Sequence, residues 1–271
     1  MNHSDELGWA GRADLSAYLL RPLTAPDAAT LAEIEAGPVD AATALSLPEL
    51  DRLLDPEPLD VETGWCRLPD GVRFVAVRTP MPGVSAEMVE WWFDWHAREA
   101  LRYRIWHPGA HLDNALEPPA RAGAKSHWGA VHHPVEDVGT GTVHARIAFV
   151  APSDLGFSTD ALDDPAVGTI VCGWVGDDRR HIRHSAMAHV FLREGDGLVL
   201  RSHFWLGAAI RPYAPAPIAG PVARLANRRL VRDLALPAGL APALARHCAE
   251  EYANLAALLP ELHSRYGSAE T

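Results

Sequence analysis

His247 and Glu251 stand four residues apart in a stretch, residues 241–259, that reads as a long helix near the end of the chain. On a helix that spacing puts both side chains on one face, close enough for an imidazole and a carboxylate to chelate one metal ion. The bland alternative is a surface pair contributing about 0.2–0.5 kcal/mol. His132 with Glu136 and His133 with Asp137 share the spacing, so spacing alone does not choose among them. His107 and His111 flank Pro108-Gly109-Ala110. A proline after His107 disfavours a helix running through it, so these imidazoles belong to a turn, where they can serve as ligands. His107 can equally be packed on Trp106 with its nitrogens hydrogen-bonded. Zinc takes His, Cys and carboxylate ligands, and a catalytic site keeps one position for water or substrate.

The same turn adjoins the most aromatic part of the chain. The stretch Trp91-Trp92-Phe93-Asp94-Trp95-His96, continued by Arg102 to Asn114, holds four of the nine tryptophans and three of the fourteen histidines. Such a wall suits a flat apolar ligand beside a metal or an acid–base group. Trp91, Trp92 and Trp95 at helical spacing also read as ordinary core. Trp106, Trp128, Trp174 and Trp205 fall on separate elements and could line a cavity between sheet and helix. Other reactive patterns are missing. The chain has no GxSxG, P-loop, HExxH or Gly-rich dinucleotide fingerprint. Cys172, inside a predicted strand, has no evident activating partner and reads as an inert buried thiol.

These groups need a scaffold, and 271 residues with 48% hydrophobic content can bury a sizeable core. A net charge of −11 and a single lysine, Lys125, argue against a nucleic-acid groove. Three dispersed cysteines without a CxxC indicate neither a disulfide framework nor a thiolate zinc site, and they fit a reducing cytoplasm. No signal peptide is visible in the first thirty residues, and no apolar run approaches the roughly 20 residues that span a bilayer.

Two domains are expected: a small helical N-terminal segment over residues 1–60, and a main domain over 61–271. In the first, residues 28–34 and 48–54 read as short helices, and Asp55-Pro56-Glu57-Pro58 as a linker. In the second, a strand is predicted over 71–78. Ser85 caps a helix that carries the tryptophans at i, i+3, i+4, i+7 spacing. Residues 103–140, rich in His, Pro and Gly, read as loop. Four strands follow at 142–151, 167–175, 186–193 and 198–206, with Gly195-Asp196-Gly197 as a hairpin turn. Residues 212–221 read as a proline-rich loop, and helices close the chain at about 222–235 and 241–259. Consecutive strands before a long last helix predict an α+β domain, an antiparallel sheet wrapped around that helix.

The arrangement WWFxWH…RYxxWHPxxH, with the residues at 184–207 and 247–252, resembles the zinc-dependent hydrolases of acylated phloroglucinols, which include diacetylphloroglucinol and phloretin hydrolases. The resemblance runs from about residue 60 onward. It implies a Bet v 1/START-like helix-grip fold, a homodimer or higher homo-oligomer, and one Zn2+. The ligands it implies are His111, Glu136, His247 and Glu251, with Asp137 adjacent to Glu136. It also implies substrate contacts from Tyr103 and Asn114, and proton transfer by His184 or His189 on the sheet, with His181 an alternative to His184. The family's RSR(F/Y)W segment reads here Arg201-Ser202-His203-Phe204-Trp205; Phe204 stands where a substrate-contacting ring hydroxyl is expected.

The chemistry implied is hydrolysis of the carbon–carbon bond between an acyl group and a phenolic ring in a small aromatic ketone. A proton on the ring carbon that bears the acyl group makes a β-diketone, whose ring fragment can leave as a stabilised enolate. A metal must then polarise oxygen, and a relay must move protons. Two neutral histidines with two carboxylates leave a zinc site near zero charge, so the expected role of zinc is to hold substrate oxygen and water. The competing expectation is a helix-grip binding protein or cyclase for aromatic polyketides, which has no need of four ligands.

Overall fold

The computed structural model describes residues 13–119 and 125–267. Among them one sheet is formed by β1 (Gly64–Arg67), β2 (Arg73–Met81), β3 (His111–Glu117), β4 (Val131–Asp137), β5 (Thr142–Val150), β6 (Val167–Asp177), β7 (Ile182–Glu194) and β8 (Gly197–Pro212). Their spatial order is β1-β2-β8-β7-β6-β5-β4-β3, and every neighbouring pair is antiparallel. The helix Leu240–Tyr266 lies against this sheet. The α+β, helix-grip arrangement expected from the order of elements is therefore present.

Alternation along the strands explains why the sheet has two buried faces. In β2, Val75 and Val77 join the core beneath the terminal helix, while Phe74 and Ala76 join a second core on the outer face. In β7, Met187 and Phe191 face the helix, whereas Ala188 and Val190 face outward. The terminal helix supplies Ala241, Ala245, Cys248, Tyr252, Leu255, Leu259 and Leu262 to the inner core. Those steps alternate four and three residues and keep one seam on the sheet. The Trp-rich helix Ala86–Trp95 begins at Ser85, whose hydroxyl accepts from the Met88 N–H at 3.3 Å. A two-residue turn joins β7 and β8, with Glu194 opposite Gly197 and Gly195 at φ +59°.

Residues 13–60 cover both faces. Leu15, Tyr18 and Ile34 enter the inner core, and Leu45, Leu50, Leu53 and Leu54 the outer one. The Pro-rich connection that follows is tied to the sheet by Arg201. Its guanidinium donates to the Asp55 carbonyl at 2.5 Å, the Glu57 carbonyl at 2.8 Å and the Glu62 carboxylate at 2.9 Å. Replacing Arg201 with Met should cost about 2–4 kcal/mol, because those acceptors would lose their charged donor at a buried site. The shift in denaturant midpoint measures it; an unchanged midpoint would refute the tie.

Three expectations need correction. Residues 103–140 are not one loop: they hold the end of the helix Ala100–Trp106 and the strands β3 and β4. His132-His133-Pro134 carries weak strand propensity, and neighbouring strands impose the extended form. The β4–β5 register passes from His132↔Ile147 to Val135↔His144, leaving Pro134, which has no N–H, unregistered there. Second, residues 212–221 are largely helical. The helix Ala216–Ala226 carries Pro217 in its first turn, where the missing N–H is tolerated. Third, the single helix expected at 222–235 is two, Ala216–Ala226 and Arg229–Ala235. The Asn227 amide donates to the carbonyls of Ala223 and Ile210, both at 2.7 Å, and ends the first of them.

Candidate functional site

The terminal helix presents His247 and Glu251 to a cavity between helix and sheet. His111 opens β3, and its Cα partner across the ladder is Glu136 of β4. The antiparallel register thus places imidazole and carboxylate side by side, as the helix does for the other pair. His111 Nε2 lies 3.4 Å from Glu251 Oε2 and 3.6 Å from Glu136 Oε2. His247 Nε2 lies 3.8 Å and 3.7 Å from the same two oxygens. Four ligand atoms at about 2.0–2.1 Å from one tetrahedral ion are separated by about 3.4 Å. Among the described residues, His111, His247 and Glu251 have ligand atoms mutually within 4.8 Å; Glu136 adds its contacts to both imidazoles.

Local contacts prepare these donors. His111 Nδ1–H donates to the Tyr103 carbonyl at 3.1 Å, which leaves a lone pair on Nε2. That Nε2 is buried and has no hydrogen-bond partner. The Tyr103 hydroxyl donates to the Glu136 carboxylate, and its ring stacks on His111 at 4.1 Å and 1°. His107, stacked on His247 at 5.3 Å and paired with Glu250 at 3.3 Å, braces the site from behind. Burial lowers His111 and His247 to about 4, so both rings are neutral at pH 7. Burial, reinforced by the Glu136 charge and opposed by His247, raises Glu251 to about 8. Two carboxylates crowded in an apolar site need a cation to stay ionised together. The donor set of two nitrogens and two oxygens fits a zinc ion.

The cavity beyond these groups is a narrow slot of ≈ 80 Å³, walled by Phe93, Trp106, Ile147, Phe149 and Phe204. Asn114 projects into it with both amide atoms buried and unpartnered. His189 lines it too, with Nδ1 2.9 Å from the Ser202 hydroxyl. Burial lowers His189 to about 3. His184 does not line it. A register shift between Arg183 and Ser185 breaks the alternation there, and its Nδ1 contacts the Ser185 hydroxyl at 2.7 Å. His181 is exposed, with φ +52°. A larger cleft of ≈ 470 Å³ opens between Thr24–Thr30, the end of β2 and the terminal helix. Its walls are mostly alanine and proline, so chemistry rather than size singles out the slot.

The aromatic residues divide. Trp92 and Trp95 are core, as their spacing allows, whereas Trp106 faces the slot. Trp205 faces the outer core, and Trp174 packs against that core rather than against the slot. Two slot residues were assigned no role from the sequence: His96, which ends the Trp-rich stretch, and His132. His132 was weighed only with Glu136 at a helical spacing. A period of two would have placed His132, Pro134 and Glu136 on one face of a strand.

Residues 45–264 match the family described as DAPG hydrolase PhiG domain. The chain is 31% identical over 245 residues to 2,4-diacetylphloroglucinol hydrolase of Pseudomonas protegens, covering 87% of this chain and 79% of that protein. It is 28% identical over 256 residues to phloretin hydrolase of Eubacterium ramulus, covering 91% and 88%. Among solved structures it matches Ara h 8.0201 with TM-score 0.41 at 9% identity, covering 70% of this chain and 99% of that one. It also matches the Zhui aromatase/cyclase of Streptomyces sp. R1128 with TM-score 0.38 at 13% identity, covering 73% and 98%. The chain belongs to the DAPG hydrolase PhiG domain family and is a hydrolase.

Proposed function

We propose that the protein hydrolyses the carbon–carbon bond between an acyl group and a phloroglucinol-like phenolic ring, with one zinc ion held by His111, Glu136, His247 and Glu251. The observation that carries this reading is the convergence of two neutral imidazoles, each 3.4–3.8 Å from the same two carboxylate oxygens, beside an aromatic slot. Bound zinc supplies a Lewis acid for a ketone or water oxygen. The ligands all fall within 61–271, which we take as the catalytic domain.

The remaining chemistry belongs to side chains. Asn114 offers both a donor and an acceptor to phenolic or carbonyl oxygens. Neutral His189 moves the proton to or from the ring carbon that carries the acyl group. The water oxygen bonds to the acyl carbon as the acyl–ring bond breaks, and the ring carbon keeps a proton. The products are a carboxylic acid and the deacylated phenol. His189 rather than His184 takes this role because only His189 lines the slot. The Tyr103 hydroxyl orients Glu136, to which it donates, and can accept a hydrogen bond from a phenolic O–H of the substrate. Tyr103→Phe should therefore lower turnover by about 10- to 1000-fold. Unchanged kinetics on acylphenols would remove Tyr103 from the site.

The direct test is incubation with mono- and diacetylphloroglucinol and phloretin, following the acid and the deacylated phenol. Absence of turnover by zinc-loaded protein would overturn the reading. Absence of zinc from purified protein would favour a non-metal binder or cyclase.

This reading includes a cytoplasmic setting, which three free, buried thiols support, and a homo-oligomer. Among the described residues no helix is long and apolar enough to cross a membrane. Ile218, Val222 and Leu225 are exposed at helical spacing, beside exposed Leu230 and Leu234, an apolar stripe of the kind that self-association covers. Light scattering should give at least twice the 29.4 kDa chain mass; a monomer at micromolar concentration would refute it.

A further inference from the structure

In the same slot, four residues along β4 from Glu136, stands His132, with the ring centroid of His96 5.4 Å from its own. His132 is 4% exposed, and its Nε2 is buried without a hydrogen-bond partner. His96 is 2% exposed, and its Nδ1–H donates to the Trp92 carbonyl at 2.6 Å. That bond leaves His96 Nε2 as an acceptor. Phe149 packs on His132 at 4.7 Å, Phe93 and Trp106 pack on His96, and buried His127 lies behind the Phe93 and Phe149 rings. A buried polar atom without a partner is costly and requires explanation. A second polar end in an aromatic slot is explained by a ligand that is polar at both ends.

Spacing specifies the ligand. His132 and Glu136 lie four residues apart on the same face of β4, so their Cα atoms are about 13 Å apart. A ketone oxygen beside the metal ligands and a hydroxyl directly across an aromatic ring are separated by about 6.5 Å. With a hydrogen bond of about 2.8 Å at each end such a ligand extends about 12 Å, close to that Cα spacing. Asn114, whose Cα partner is Pro134, sits midway along that line.

We propose that His132, with His96, forms a specificity subsite for the ring hydroxyl opposite the acyl group, so that the preferred substrates carry a hydroxyl para to the acyl carbon. The proposal rests on the acylphenol reading above and names which ring oxygens it requires. The phenolic O–H donates to one imidazole nitrogen and accepts from the other ring. A ring without that hydroxyl leaves both imidazoles unsatisfied.

The test compares 2,4,6-trihydroxyacetophenone with 2,6-dihydroxyacetophenone, which differ only in that hydroxyl. Wild-type protein should favour the trihydroxy compound by about 10- to 100-fold in kcat/KM. The hydroxyl also activates the ring carbon by conjugation, so the readout is the change between proteins: in His132→Phe the ratio should fall by about 10-fold, and His132→Asn, which keeps a hydrogen-bonding group, should restore part of it. Affinity for the two compounds, read from quenching of tryptophan emission, should follow the same pattern. A wild-type ratio near one would overturn the subsite, as would a ratio that persists in His132→Phe, while leaving the hydrolase reading intact. If neither compound is cleaved, the hydrolase reading fails and the affinity ratio decides the subsite. Discrimination in binding that His132→Phe abolishes would uphold it; equal affinities would end it. The wild-type affinity comparison, which ring reactivity does not enter, stands even where a variant fails to fold.

Discussion

Glu251→Gln should purify with far less than one zinc per chain and lose about 100- to 1000-fold or more in kcat/KM on acylphenols. The substitution keeps the shape of the side chain and removes its charge. Glu251 Oε2 is the oxygen nearest His111 Nε2, at 3.4 Å, and it lies 3.8 Å from His247. A neutral amide there is a poor ligand for a hard cation, and the residual site of two neutral imidazoles and Glu136 carries one charge less. The fold should survive. The inner core is set by Cys248, Tyr252, Leu255 and Leu259 on the same helix, and the substitution alters none of these side chains. Removing a carboxylate that burial has raised to about 8 also relieves the metal-free protein of a crowded pair. Elemental analysis, with circular dichroism on the same preparations, checks both halves. Equal zinc in variant and wild type would remove Glu251 from the site.

His189→Asn should lower turnover by about 100- to 10,000-fold while zinc content stays at the wild-type level. His189 projects from β7 into the slot between the Phe204 and Tyr252 rings, with centroids at 5.4 and 5.0 Å. Its tautomer is held by the Ser202 hydroxyl at 2.9 Å. Asparagine preserves a polar contact there but cannot shuttle a proton at neutral pH. The matched control is His184→Asn, which should change turnover less than about 3-fold, because His184 stands outside the slot wall. Comparable losses in both variants would mean that the two act through strand stability, and a loss of zinc in His189→Asn would mean that its effect runs through the metal site. Phe204 belongs to the same comparison. Phe204→Tyr adds a hydroxyl beside His189, so substrate preference is the property to follow in that variant.

The elements legible in the sequence were those specified by short-range periodicity. The terminal helix could be read from its apolar seam, and His247 with Glu251 from the i, i+4 relation, because helical geometry relates residues within one turn. The strands β5 to β8 could be read from runs of Val, Ile, Ala and aromatic residues bounded by turns. The strand character of β3 and β4 could not, since histidine has weak strand propensity and Pro134 has no N–H for the ladder, and the segment is paired there by β3 and β5. For the same reason His111 and Glu136, expected to come from loops, prove to be cross-strand partners. Their 25-residue separation becomes a direct contact only through antiparallel register. Residue types near positions 181–189 offered three histidines; the local register shift and the alternation of β7 decide that His189 reaches the slot. Chemistry-bearing residue types and the helix that carries His247 and Glu251 were thus determined by the sequence alone. Tertiary structure decided which imidazoles share a cavity, because side-chain direction in a sheet depends on pairing, and pairing is set by the whole ladder rather than by any one strand.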